Sequence, residues 1–200
     1  MTAAANSDSR LRRWREDPDV QLMHRVKDGD DDAFAILQEQ YTPRVFGYFC
    51  KQLRDRGEAE DLTQEVFLKL YRCAARYRPQ ERFSSFCFGV ARNVWIDDCR
   101  RASSRAGNAQ DTQLDDLASG PDSAHAFSLE EQQQRVGDLL AILPTAHRRV
   151  FELVLFGELS YGEISALLSS PLGTVKSRMF YAVRRLRRAW AERLQQEGVI

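Results

Sequence analysis

The chain has 200 residues, of which 43% are hydrophobic and 29% charged, and its 29 basic residues balance its 29 acidic ones. This length allows one medium domain or two small ones, so disorder throughout is excluded. No apolar run approaches the roughly 20 residues that span a bilayer. Residues 1–15 also lack the apolar stretch of a secretory signal, so we expect a cytoplasmic protein without membrane insertion.

Few residue types suited to catalysis or metal binding are present. The four cysteines, at positions 50, 73, 87 and 99, have no C-x-x-C spacing. We predict that they are reduced packing residues, with a redox-sensitive pair as the alternative. Only three histidines occur, and neither a nucleophile-elbow nor a P-loop motif is found. The sequence therefore predicts a protein that is not an enzyme and has no cofactor or metal site.

The charges are unevenly distributed along the chain. Residues 72–105 contain eight arginines and three acids, residues 106–131 contain six acids and no base, and residues 176–188 contain six bases and no acid. Two basic segments thus flank an acidic connector. Such basic segments indicate a polyanion partner in spite of the zero net charge.

After a mobile tail at 1–18, apolar residues recur every three or four positions, which predicts amphipathic helices. In the first domain, predicted at 19–101, the apolar stripes lie at 20–26, 33–49, 62–73 and 83–94, with turns near 28–30 and 56–57. Residues 102–127 lack periodicity and contain Gly120-Pro121, which predicts a flexible acidic linker. No stretch alternates at period two. The predicted fold is therefore all-α, with two small helical domains.

The second predicted domain, 128–196, has the layout of a helix-turn-helix. A short helix ends near Leu168, and Ser170 and Pro171 are predicted to cap and begin the last helix. On a helical wheel the inward side of this last helix carries Val175, Met179, Ala182, Val183, Leu186 and Trp190. The opposite side and its flanks suit a DNA major groove, although a solvated basic face is the alternative.

Several motifs resemble the extracytoplasmic-function (ECF) class of bacterial sigma factors. The fourth conserved region is matched by Leu-Ser-Tyr-x-Glu-Ile at 159–164 and Pro-Leu-Gly-Thr-Val-Lys-Ser-Arg at 171–178. The second conserved region is matched by Gly-Asp-x-x-Ala-Phe at 29–34, Glu-Asp-Leu-x-Gln-Glu-Val-Phe at 60–67, Phe-x-x-Phe at 83–86 and Val-Ala-Arg-Asn at 90–93. Both halves in this order cover nearly all of residues 19–193, which makes the resemblance specific.

The chain departs from the family pattern at two places. Phe86-Cys87 stands where the family usually has Trp-Leu, which keeps an aromatic residue. Tyr181 stands where an arginine is common, which removes a phosphate or base contact. The promoter preference of relatives therefore does not transfer to this chain.

The resemblance implies that the helix at 61–67 docks on a coiled coil of the RNA polymerase clamp. The predicted polymerase-binding residues are Asp61, Gln64, Glu65 and Phe67. The first three lie three and four positions apart, on one edge of the helix. From periodicity alone, a solvated acidic flank is the alternative.

The resemblance also implies contacts with the unpaired strand of the downstream promoter element. Captured bases are held by aromatic rings, amides and cations. The predicted residues are Tyr77, Arg78, Arg92 and Asn93. Phe83 and Phe86 share the apolar periodicity of their helix and are expected in the core. For the upstream element the predicted contacts are Arg148, Thr174, Lys176, Ser177, Arg178, Phe180, Tyr181, Arg184 and Arg188.

The implied function is a sigma factor that binds core RNA polymerase, directs it to promoters and helps to open the DNA. An anti-sigma factor is a further expected partner, since such regulation is common in this class. The acidic linker is expected to thread the polymerase cleft, with a passive tether as the alternative. A stand-alone helix-turn-helix regulator is the competing interpretation, but it would have no reason to contain the motifs at 61–67 and 77–93.

Overall fold

The structure, a computed structural model, describes Trp14 and residues 16–53, 55–78, 81–105 and 140–196. All regular elements in these ranges are helical, which confirms the all-α prediction. None of these helices is both long and apolar enough to cross a membrane. The predicted N-terminal tail up to residue 13 and residues 106–139, which include most of the predicted linker, lie outside the described residues.

Within its described residues, the first compact unit contains four α-helices and one short turn of 3-10 helix. Helix α1 spans Pro18–Lys27, α2 Asp31–Cys50, α3 Arg56–Cys73, the 3-10 turn Ala74–Arg76, and α4 Phe83–Arg105. Asp17, Asp30 and Asp55 are the N-caps of α1, α2 and α3, and each carboxylate accepts a backbone N–H from the first turn. Aspartate is among the preferred N-cap residues, so local sequence sets these three helix starts.

The core of this unit is rich in aromatic rings. Tyr41 meets Phe83 edge-on with 5.0 Å between ring centroids, and Tyr48 meets Phe88 at 5.8 Å. These contacts join α2 to α4. The Tyr41 hydroxyl donates a hydrogen bond to Asp19, so the polar end of this buried ring has a partner.

The second unit contains α5 at Thr145–Leu155, α6 at Tyr161–Leu167 and α7 at Leu172–Gln196. Leu140, Leu143 and Ala182 form a buried cluster, against which Phe151 and Leu186 pack. Val150, Ile164 and Val175 are fully buried as well. The apolar stripe of α7 therefore faces α5 and α6, as its periodicity predicted.

Three details differ from the sequence-based expectations. Helix α4 continues to Arg105, four residues past the predicted end of the first domain at 101. Trp190, placed on the inward side of the wheel, is 53% exposed, whereas Leu186, one turn earlier, packs against the buried cluster. Ser170 does not cap α7. The Val175 N–H donates to the carbonyl of Pro171, so Pro171 occupies the N-cap position. The Ser170 hydroxyl instead donates to the Leu168 carbonyl.

Candidate nucleic-acid and polymerase interfaces

A hydrogen-bonded turn joins α6 to α7. Helix α6 starts with a capping box, in which the Ser160 N–H donates to Glu163 Oε2 (2.7 Å) and the Glu163 N–H donates to Ser160 Oγ (3.3 Å). At the other end, Ser165 Oγ donates to the Ser170 carbonyl (2.6 Å), and Ser169 adopts a positive φ of 50°. These bonds fix the direction in which α7 leaves the turn. The motif at 159–164 is thus a helix start, and the two helices form a helix-turn-helix.

The outward side of α7 carries hydroxyls, aromatic rings and cations. Val175 and Ala182 are fully buried, whereas Lys176, Ser177 and Arg184 are exposed. Phe180, Tyr181 and Arg188 are exposed too, and Thr174 and Arg178 are half-buried. No acidic residue occurs in α7 before Glu192. The structure therefore places most of the predicted upstream-element residues on an accessible, acid-free surface.

Two of these side chains are already engaged within the helix. Ser177 Oγ donates to the Thr174 carbonyl at 3.0 Å, which leaves the hydroxyl oxygen as an acceptor. Arg188 Nε lies 2.8 Å from Glu192 Oε1, an exposed ion pair one helical turn apart. Arg184 and Arg188 therefore differ, because only Arg188 is joined to the first acid of the helix.

An aromatic group lies beside these cations. Phe180 and Tyr181 meet at 5.5 Å between centroids, and His147 of α5 meets Tyr181 edge-on at 6.3 Å. Burial, together with the charges of Arg178 and Arg185, lowers the pKa of His147, so its ring is more readily neutral.

Next to His147, Arg148 is half-buried and donates to the Leu143 carbonyl at 3.5 Å. Arg148, predicted as a DNA contact, is thus tied to the start of α5.

On α3 the predicted polymerase-binding residues have three different environments. Asp61 and Gln64 are exposed. Glu65 bridges to Lys69 at 3.0 Å and to Arg101 of α4 at 3.2 Å. Phe67 is only 4% exposed and packs edge-on against Phe34. The assignment of Phe67 to an accessible docking surface is therefore corrected, since its ring belongs to the core between α2 and α3.

Further exposed apolar residues on α3 were missed by sequence reasoning. Leu68 is 54% exposed and Tyr71 48% exposed, and the Tyr71 hydroxyl donates to Asp31 Oδ1 at 2.9 Å. The four positions 61, 64, 68 and 71 are separated by three, four and three residues. This spacing, visible in the sequence, puts them on one stripe of the helix.

The residues predicted to capture unpaired bases are also divided between surface and core. Arg78 and Asn93 are exposed, and Arg92 is half-buried. Tyr77 is 5% exposed, between His24 and Phe86 at centroid distances of 6.0 and 5.1 Å. Burial and nearby acids, Asp17 first, raise the pKa of Tyr77. The expectation of an accessible Tyr77 ring is corrected: tertiary packing covers it.

The phenylalanines of this region follow the expectation only in part. Phe83 is fully buried, whereas Phe86 is half-buried. All four cysteines are free thiols, of which Cys87 and Cys99 are buried and Cys50 and Cys73 are half-buried. Complete burial raises the pKa of Cys87 to about 12, so this thiol resists deprotonation.

Comparison with known proteins matches both halves of the chain. Residues 37–105 match the model of Sigma-70 region 2, and residues 139–188 match that of Sigma-70 region 4. The ECF RNA polymerase sigma factor RpoE of Cereibacter sphaeroides is 33% identical over 174 residues, covering 84% of this chain and 92% of the relative. SigK of Mycobacterium ulcerans, another ECF sigma factor, is 32% identical over 171 residues, covering 83% and 90%.

Solved structures share the fold. CnrH, solved in complex with the cytosolic domain of CnrY, has a TM-score of 0.65 at 18% identity and covers 87% of this chain and 97% of its own. RpoE of Bartonella quintana, solved with the anti-sigma factor NepR, has a TM-score of 0.58 at 19% identity, covering 78% and 94%.

A helical fold that ends in a helix-turn-helix with an acid-free outer surface defines a DNA-binding protein of transcription. With both sigma regions present in order, the chain belongs to the ECF family of RNA polymerase sigma factors. It is a subunit that directs RNA polymerase to promoters. The stand-alone regulator is excluded, because such a protein has no sigma region 2.

Proposed function

We propose that the two units divide the work of promoter recognition between them. The domain at 19–101 binds core polymerase and the unpaired downstream element, and the domain at 128–196 binds the upstream element as duplex. Residues 1–18 and 102–127 serve as tail and linker. The observation that carries this proposal is the accessible, acid-free outer side of α7, held at a defined angle by the turn at 168–171.

Within the upstream contact, position on α7 separates base reading from phosphate binding. Ser177 lies at the centre of the outer side, and its hydroxyl oxygen is left as an acceptor. Acceptors in the major groove pair with the amino groups of adenine and cytosine. Arg184 is an exposed cation one to two turns further on, suited to phosphate. Lys176 and Arg178 flank Ser177 and serve either purpose.

Polymerase docking uses a mixed polar and apolar stripe on α3. Asp61 and Gln64 supply the polar part, and Leu68 and Tyr71 supply exposed apolar area next to it. An apolar centre with a polar rim is typical of protein interfaces. Glu65 supports this surface from the side through its ion pairs with Lys69 and Arg101 rather than contributing a free charge.

For strand capture, the accessible groups are those of Arg78, Phe86, Arg92 and Asn93. The guanidinium groups attract phosphate, the amide pairs with a base edge, and the half-buried ring of Phe86 offers a stacking surface. The polymerase supplies the catalytic chemistry, so the sigma factor itself is not an enzyme and needs no cofactor. We place the protein in the cytoplasm, where polymerase and promoter DNA are found.

Regulation by an anti-sigma factor is part of the proposal. The similarly folded CnrH and Bartonella RpoE were solved with CnrY and NepR, respectively. Exposed apolar residues on this chain, among them Leu68 and Trp190, are of the kind that a protein partner covers.

The test is transcription from a fragmented genomic library by bacterial core polymerase, with and without this protein. We expect a set of promoters that is used only when the protein is present. A full-length Lys176→Gln, Arg184→Gln variant should lose these transcripts, whereas an Arg12→Gln, Arg13→Gln variant, which removes two charges from the predicted N-terminal tail, controls for net charge. No new transcripts with the wild-type protein would refute the proposal.

A further inference from the structure

Helix α1 has no part in the contacts proposed above, yet polar residues on one of its sides contact other elements. Asp17 at its N-cap, Val20, His24 and Lys27 follow one another at intervals of three, four and three residues. They therefore lie on one side of the helix. Val20 is fully buried, so this side faces the rest of the first unit.

Near its C-terminal end, this side of α1 contacts Tyr77, which begins the connection between α3 and α4. Lys27 Nζ donates to the Tyr77 carbonyl at 3.4 Å, and the His24 ring meets the Tyr77 ring edge-on at 6.0 Å. Tyr77 immediately follows the 3-10 turn and immediately precedes Arg78. Its burial makes it an anchor for the backbone from which Arg78 projects.

At its N-terminal end, the same side of α1 contacts Arg82, the last residue of the connection before α4. Asp17 Oδ2 lies 3.5 Å from Arg82 Nε. The Arg82 carbonyl accepts the Phe86 N–H at 3.2 Å, so Arg82 occupies the N-cap position directly before α4. Helix α1 thus contacts the α3–α4 connection at both of its ends, through pairs that lie 50 and 65 positions apart in sequence.

We propose that Asp17, Lys27 and Arg82 are positioning residues, through which α1 fixes the two described ends of the α3–α4 connection, at Tyr77–Arg78 and at Arg82, for the capture of unpaired promoter bases. The inference rests on the proposed role of this region in opening the promoter. Groups that are already ordered lose less conformational freedom when they bind, so a braced connection captures a base at lower entropic cost. Helix α1 acts in this way without touching the DNA.

Removing a negative charge at position 17 has opposite expected effects under the two explanations, a brace by α1 and long-range attraction to DNA. Removing the acid at position 17 makes the protein more positive beside the proposed DNA path. If only long-range attraction mattered, that change would strengthen binding to a polyanion. A brace requires the opposite result for promoter opening, because the loss of the Asp17–Arg82 pair frees the connection.

The key variant is Asp17→Ser in the full-length protein, assembled with core polymerase on a promoter that the wild-type holoenzyme has selected from genomic fragments. Serine is as good an N-cap as aspartate, so α1 keeps its start, but serine is neutral and too short to reach Arg82. Asp28→Ser is the matched control, since Asp28 is exposed at the other end of α1. Filter binding follows closed-complex formation, and permanganate reactivity of thymines follows opening.

We expect Asp17→Ser to slow opening about two- to five-fold, as the loss of a partly exposed ion pair implies, with closed binding and the Asp28→Ser control unchanged. Arg82→Gln should give a similar loss and Arg82→Lys should restore most of it. The double variant Asp17→Ser, Arg82→Gln should be no slower than the slower single variant.

Other outcomes overturn the inference. Opening by Asp17→Ser at the wild-type rate or faster would mean that α1 does not brace the connection. A loss confined to closed binding, or additive effects in the double variant, would mean that the two residues act separately. Failure of the wild-type holoenzyme to open any promoter would instead refute the proposed function on which the inference rests.

Discussion

Replacing Glu65 with glutamine should reduce the free energy of unfolding of the first unit. Glu65 lies beside the proposed polymerase surface, but its main role is to join helices. Glu65 accepts from Lys69 at 3.0 Å and from Arg101 at 3.2 Å, and Lys69 also reaches Asp97 at 3.3 Å. The Glu65–Arg101 and Lys69–Asp97 pairs connect α3 to α4, and the Glu65–Lys69 pair lies within α3. Glutamine keeps the size of the side chain and removes its charge.

The expected loss follows from the number of pairs and their exposure. An exposed ion pair contributes roughly 0.2–1 kcal/mol, and Glu65 makes two while its side chain is 31% exposed. A loss of about 1 kcal/mol in the free energy of unfolding follows. For a unit of this size that corresponds to about 4–8 °C in the unfolding temperature.

The effect should depend on pH in a defined direction. Burial by itself raises the pKa of Glu65, but the hydrogen bonds from Lys69 and Arg101 outweigh it, so the pKa of the folded protein lies below the ordinary value of 4.5. Because the pKa is lowered on folding, the contribution is present above pH 4.5 and is lost as the pH falls through the folded pKa. Wild type and Glu65→Gln should therefore differ at pH 7 and converge near pH 3.

The measurement is thermal unfolding of the full-length protein from pH 7 to pH 3, combined with affinity for core polymerase. Asp61→Asn is the matched variant, since it removes one exposed acid from the same helix. It should leave the unfolding temperature unchanged and weaken polymerase binding roughly five-fold, as for the loss of about 1 kcal/mol at an interface. An unchanged unfolding temperature for Glu65→Gln at pH 7, or a difference that persists at pH 3, would refute this reasoning.

Three further predictions concern DNA binding and the core. On a duplex carrying only the upstream element, Arg184→Ala should flatten the salt dependence of binding by about one unit, whereas Arg72→Ala in the first unit should not change it. Ser177→Ala should alter which upstream sequences are selected from a randomised pool; an unchanged preference would remove Ser177 from the base-reading surface. Tyr77→Phe should leave the unfolding temperature unchanged or raise it, because the buried hydroxyl has no hydrogen-bond partner in the described part of the chain, while Tyr77→Ala should cost about 3–5 kcal/mol in calorimetry.

Features that depend on neighbours within one helical turn were predicted well. The wheel of α7 separated the buried Val175 and Ala182 from the exposed Ser177, because both sides follow from the 3.6-residue period. The wheel failed at Trp190, which continues the apolar period one turn after Leu186 but is 53% exposed. Periodicity indicates which side of a helix is apolar, and a covering element decides how far along the helix that side is buried.

Aromatic residues near the proposed sites were the harder cases. Phe67 and Tyr77 were assigned to contact surfaces on the strength of the family resemblance, and both are buried. Their partners Phe34, His24 and Phe86 lie on other helices or a later part of the chain. An aromatic ring suits a core as well as a stacked base, so residue type alone could not separate the two roles.

By itself the sequence determined the helices, the helix-turn-helix and the family, since each depends on residues a few positions apart or on motifs read in order. Only the tertiary structure decided that Glu65 joins α3 to α4, that Leu68 and Tyr71 are exposed, and that α1 contacts both ends of the α3–α4 connection. The physical reason is the separation in sequence between the residues that interact. A cap or an amphipathic stripe forms within one turn of helix, whereas the Asp17–Arg82 pair and the Lys27–Tyr77 bond join residues that only the packing of three helices brings together.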